Sequence, residues 1–192
     1  MIILFAYLLG SIPFALLVAR RVGGVDLRAT GSGNVGAANV LRTTNKSTAA
    51  MVLMLDVGKG AAAVVAAGLA GAGDAGTAGA AVAAVAGHIY PIWLRLRGGK
   101  GVAVACGAFA VLAPIATALA TAIFVVAVWA TRYVSLGSVL ASASLAPLAD
   151  ASGAPRAVTA AAACAAALVI FRHRGNLVRV VRGTERRIGD RA

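Results

Sequence analysis

Long, largely uncharged apolar runs alternate along the chain with short segments that hold nearly all of its arginine and lysine. Apolar runs fall at about 1–20, 47–70, 76–94, 102–113, 115–130, 135–148 and 157–171, some of them shorter than the ~20 residues of a full crossing. The pattern predicts an all-α polytopic integral membrane protein with seven transmembrane helices in one domain over residues 1–192. The fourth and fifth runs could form one long helix kinked at Pro114, but that merger would put Arg132 on the wrong side of the membrane, which favours seven spans.

The charges between the runs supply an orientation. With the N-terminus outside, the inner segments hold Arg20, Arg21, Arg28, Arg42 and Lys46, then Arg95, Arg97 and Lys100, then Arg132, then a tail from Arg172 to Arg191. The outer segments hold only Asp74, Asp150 and Arg156. This alternation obeys the positive-inside rule and places the C-terminus in the cytoplasm. Arg20 and Arg21 follow the first apolar run and no basic segment precedes it, so that run reads as a retained helix and not a cleaved signal.

Composition agrees. Hydrophobic residues make up 60% of the chain, above the roughly 45–50% of a soluble domain. The net charge of +12 would suggest nucleic acid if it formed a stripe on a soluble face, but it is dispersed between spans, so no nucleic-acid partner is expected. Cys106 and Cys164 lie within apolar runs without metal-ligand spacing, so no metal is expected either.

Three polar stretches fall on the same inner side. The first, GSGNVGAANVLR from Gly31 to Arg42, contains the GxGxxG spacing of a dinucleotide-binding turn, but VDLRAT precedes it where such a turn needs a hydrophobic strand. What survives is glycine-rich backbone able to turn N–H groups toward an anion, with donors on Ser32, Asn34, Asn39 and Arg42; a plain tight loop is the alternative. The second, GHIYPIWLRLRGGKGVAVA, carries His88 and Gly98-Gly99-Lys100-Gly101 at a helix start, a phosphate cradle without the spacer and hydroxyl of an ATPase loop. His88 is read either as a packing donor or as part of the site. The third, FRHRGNLVRVVRGTERR, follows the last run; attraction to anionic lipid explains its arginines but not His173 and Asn176.

Within the spans, Asp56 and Lys59 stand three residues apart on one helix face and can pair, either as a packing device or as part of a site. Ser135 and Ser138 stand one turn apart in RYVSLGSV. A phosphate transporter would use similar broken segments, but with inverted repeats that this chain lacks. A lipid-binding protein would account for the basic tail and not for GGKG. Anion binding is the role that uses all three stretches, and the anion meets the membrane.

In this order and at these spacings, GSGNVGAANVLR, DVGKG, GHIYPIWLRLRGGKGVA, RYVSLGS and RHRGNLVRVVRGTE resemble the bacterial acyl-phosphate:glycerol-3-phosphate acyltransferases, the PlsY family. The resemblance spans nearly the whole chain. It implies transfer of a fatty acyl group from acyl-phosphate to the sn-1 hydroxyl of glycerol 3-phosphate, giving lysophosphatidic acid and phosphate as the first step of phospholipid synthesis. It implies catalytic roles for His173, Ser138, Asn176 and Lys100, and substrate or phosphate binding by Ser32, Gly33, Asn34, Asn39, Arg42, Lys59, His88, Gly99 and Gly101. Acyl-phosphate is already activated, so no cofactor, metal or covalent serine intermediate is required. The proton of the attacking hydroxyl goes either to His173 or to the substrate's phosphate. The expected partners are glycerol 3-phosphate, acyl-phosphate and membrane lipid, with a functional link to an acyl-phosphate-forming enzyme.

Overall fold

The computed structural model describes residues 1–189; Arg191, assigned above to the basic tail, lies outside them. The described residues form α1 (Ile2–Gly10), α2 (Phe14–Gly23), α3 (Ala37–Thr43), α4 (Lys46–Leu69), α5 (Gly73–Ile89), a 3-10 turn (Ile92–Leu94), α6 (Val102–Leu112), α7 (Pro114–Thr131), α8 (Val134–Ala151) and α9 (Arg156–Val181). The protein is an all-helical, multi-pass integral membrane protein. Among the described residues, six segments are long and apolar enough to cross a bilayer, counting α1 and α2 as one.

Three features differ from the sequence reading. The run at 102–113 is the 11-residue α6, about 16 Å long against a hydrocarbon core of about 30 Å, so it is not among the six long spans. Ala113 leaves helical geometry before Pro114, which opens α7 at a position where its missing N–H costs nothing. The first run is broken at Ser11–Pro13, where Pro13 cannot donate back along the helix. The last helix runs ten residues past the predicted end at 171 and stops only before Gly183, because arginine and leucine are good helix formers and Gly175 alone does not break it. His173 and Asn176 therefore sit on α9 and not in a tail.

Alanine and glycine dominate the buried surface, and glycine allows two pairs of helices to meet backbone to backbone. Between α4 and α6, a Cβ on Gly60 would overlap the Val104 carbonyl and one on Gly107 would overlap the Val57 carbonyl. Between α1 and α5, Gly10 lies against the backbone of Ala84 and Gly87 against that of Tyr7. Within lipid no hydrophobic force pulls helices together, so close van der Waals approach of this kind supplies the attraction. The consequence for function is placement: α4 carries Asp56 and Lys59, and α6 begins at the GGKG turn.

Gly107→Ala should force α4 and α6 apart and lower stability by about 1–3 kcal/mol, seen as a lower unfolding temperature in detergent. Gly58→Ala, facing open space on the same α4, is the control and should leave that temperature unchanged or raised. Equal shifts for the two would remove the crossing as a source of stability.

Candidate active site

The first element is the loop between α2 and α3. Asp26 fastens its entrance, accepting from Arg20 at 2.9 Å and Arg28 at 2.7 Å, and hydrogen bonds from these guanidiniums, that of Arg28 foremost, hold its carboxyl well below the usual carboxylate range. Gly31 and Gly33 adopt φ of 66° and 72°, the left-handed region that favours glycine. Asn39, 1% exposed on α3, ties the loop: its Oδ1 accepts from the Ser32 amide at 2.9 Å, and its Nδ2 donates to the carbonyls of Thr30 at 3.0 Å and Leu27 at 3.2 Å. Its carboxamide is thus engaged inside the loop, and a side chain at Gly31 would collide with it. Ser32 and Gly33 are exposed at the loop tip, with Asn34 half-buried beside them. Arg42 closes α3 within electrostatic reach of Lys100.

The second element is the GGKG turn. The Gly98 amide donates to the Ile89 carbonyl at 3.0 Å and the Gly99 amide to the His88 carbonyl at 3.1 Å, so the turn hangs from the end of α5. On its other side the Arg172 guanidinium donates to the carbonyls of Gly98 at 3.2 Å and Gly99 at 3.4 Å. Gly101, at φ 85°, then caps α6.

The third element is the end of α9 and the turn after it. Lys100 Nζ donates to Asn176 Oδ1 at 2.6 Å, Asn176 Nδ2 donates to Glu185 at 2.5 Å, and Arg179 Nε donates to the other Glu185 oxygen at 2.7 Å. Partial burial opposes the Glu185 charge, yet Asn176, the nearby Ser135 hydroxyl and Arg179 together keep its pKa below the ordinary glutamate value. Burial, opposed by Glu185 and reinforced by the like charges of Arg179, Arg42 and Arg172, pulls the Lys100 ammonium down to about 8. His173, 2% exposed and one turn before Asn176, holds its Nδ1 2.8 Å from the Val169 carbonyl. A carbonyl only accepts, so Nδ1 carries a proton, and in the neutral ring Nε2 keeps its lone pair.

This arrangement of cations, oriented amides and an imidazole suits a phosphate-bearing ligand at the edge of a membrane span. The glycerol-3-phosphate acyltransferase family model matches residues 1–183. Glycerol-3-phosphate acyltransferase of Myxococcus xanthus is 48% identical over 97% of this chain and 97% of that protein, and that of Roseobacter denitrificans is 46% identical over 96% and 92%. This chain belongs to the glycerol-3-phosphate acyltransferase family. Two crystal structures of the family's integral membrane member PlsY (YgiH) superpose on it. The glycerol 3-phosphate form has a TM-score of 0.92 at 38% identity, and the lysophosphatidic acid form a TM-score of 0.90 at 37% identity; each pairing covers 98% of this chain and 94% of the other.

Of the residues singled out in the sequence, Lys100, Asn176, His173, Arg42, Gly99 and Gly101 converge on the GGKG turn and the end of α9. Lys59 and His88 lie behind that turn, engaged with Asp56. The Ser138 hydroxyl donates to the Val134 carbonyl of its own helix at 2.8 Å, whereas Ser135, one turn earlier, faces Glu185. Sequence reasoning passed over Glu185 and Arg172. The signal for Glu185 was there: it is the chain's sole glutamate, set in a run of arginines.

Asn39→Ala should strip the loop of its three internal bonds. Limited proteolysis between Ala29 and Gly36 should then accelerate by at least about ten-fold, since local opening is governed by lost local bonds. Unchanged cleavage would show that the loop is held by other means.

Proposed function

We propose that this protein transfers a fatty acyl group from acyl-phosphate to the sn-1 hydroxyl of glycerol 3-phosphate. The observation that carries this reading is the Lys100–Asn176–Glu185 chain, joined to Arg42, Arg172 and Arg179 at the end of a membrane-spanning helix. It offers positive charge and oriented amides where a water-soluble phosphate and an acyl chain in lipid can meet. The hydroxyl oxygen attacks the carbonyl carbon, the bond from that carbon to the phosphate oxygen breaks, and phosphate leaves with the bonding electrons. Lys100 and Arg42 hold phosphate oxygens and meet the negative charge gathering on the leaving group. Asn39 acts indirectly, by presenting the Ser32–Asn34 tip. His173 Nε2 accepts a hydrogen bond from the substrate hydroxyl and aims it, and the departing phosphate takes the proton. Acyl-phosphate is reactive enough that orientation matters more than a strong base.

The reading includes a topology. Short α6 makes a seventh crossing, the N-terminus lies outside, and the loop of Gly31, the GGKG turn and the end of α9 face the cytoplasm, as the charge alternation favours.

Acylation of labelled glycerol 3-phosphate by added acyl-phosphate should occur in inverted membrane vesicles and not in intact right-side-out vesicles. No product in either refutes the activity, and product only in right-side-out vesicles refutes the orientation. Charged Lys100 is the binding form, so kcat/KM should fall as pH rises through about 8, and Lys100→Arg, which stays charged, should shift that limb upward by more than about one unit. His173→Gln should keep kcat within about ten-fold while His173→Ala raises KM. A glutamine variant that loses about 10²–10⁴ in kcat at unchanged KM would make His173 the general base instead.

A further inference from the structure

Asp56, Lys59 and His88 form a buried ionisable cluster that the chemistry above does not use. Asp56 and Lys59 are 2% and 4% exposed and one turn apart in the span α4. Lys59 Nζ lies 2.8 Å from Asp56 Oδ1, donates to the Ile12 carbonyl at 2.8 Å, and stands 5.5 Å over the Phe14 ring. The same Asp56 oxygen is 3.7 Å from His88 Nδ1. A buried ion pair is weak support for stability, since apolar residues of equal volume often do as well or better. Ionisable groups inside a membrane span therefore call for another role.

The cluster reaches the GGKG turn from behind. The His88 ring fills the space a side chain on Gly99 would need, and Gly98 presses against the carbonyls of His88 and Ile89. Gly98 and Gly99 have no side chains with which to lock themselves, so the turn takes its position from what it leans on. We infer that Asp56, Lys59 and His88 are a positioning unit for Lys100. Lys59 ties Asp56 to the α1–α2 break, Asp56 orients the imidazole, and the imidazole sets Gly99 and so the Lys100 amine that follows. This rests on Lys100 being a phosphate ligand, and it assigns Lys59 and His88 to support, not to phosphate contact.

The test is a double-mutant cycle in detergent-purified full-length protein, read as KM for glycerol 3-phosphate, kcat/KM and unfolding temperature. His88→Ala should raise KM by about ten-fold or more with little change in unfolding temperature, because misplacement by ~1 Å can cost about a hundred-fold. His88→Phe, which keeps a ring against Gly99, should recover most of that loss. Lys100→Ala should cost about ten- to hundred-fold in kcat/KM in the wild-type background and under about three-fold in the His88→Ala background. The paired replacement Asp56→Leu with Lys59→Met should fold and raise KM as His88→Ala does. Equal Lys100→Ala losses in both backgrounds, or a normal KM in His88→Ala, overturns the unit. Failure of the wild type to acylate glycerol 3-phosphate refutes the proposed function and is read separately from the coupling.

Discussion

Everything in this molecule answers to the cost of leaving a polar group unpaired in hydrocarbon, several kcal/mol for each backbone amide or carbonyl. The break at Ser11–Pro13 is where that cost is faced most directly. Pro13 has no amide to give, and the Ile12 carbonyl finds the Lys59 ammonium in place of a helical partner. Ser11 donates to the Leu8 carbonyl at 2.7 Å and accepts from the Trp93 indole at 2.8 Å. The GGKG turn meets the same demand through the carbonyls at the end of α5 and the Arg172 guanidinium. Break and turn face each other across a small cleft lined by Ser11, Pro13, Phe14, Asp56, His88 and Gly99. These two stretches of irregular backbone thus lie together and line one cleft, which is where a site can be built.

The same low dielectric strengthens the charges gathered beside the turn. Lys100, Arg42, Arg172 and Arg179 repel one another, and Glu185 offsets part of that repulsion while fixing Asn176 from one end as Lys100 fixes it from the other. In the proposed reaction an amide held at both ends would not reorient when substrate arrives, so little of its interaction with a developing charge would be lost to rearrangement. The Val169 carbonyl does the equivalent for His173 by fixing its tautomer.

The spans were legible because their apolar runs exceed anything a soluble core of this size holds, and the pairing of Asp56 with Lys59 was legible because helical spacing alone puts them on one face. The break at Ser11–Pro13 escaped notice because the apolar run continues through it, and composition carries no record of a missing hydrogen bond. The extension of α9 escaped because arginine-rich sequence suits a lipid-facing tail as well as a helix. Asn39 and Ser138 show the deeper limit. Whether an amide or hydroxyl serves a ligand or its own backbone depends on which neighbour the fold delivers, and a lone sequence does not record that.

The abundance of glycine and alanine is more than a concession to lipid. On α4, Asp56, Val57, Lys59 and Gly60 occupy little more than one turn, with the two charges directed toward the α1–α2 break and His88, and Val57 and Gly60 pressed against α6. Because Gly101 caps α6, the contact that fixes the axis of α6 also fixes where the GGKG turn ends, while the charged face fixes what the turn leans on. A larger residue at Gly60 or Gly107 would move α6 away from α4, shifting the far end of the turn while its near end stayed tied to α5. Close packing and charge placement are therefore one constraint on Lys100, imposed from a single turn of a single helix.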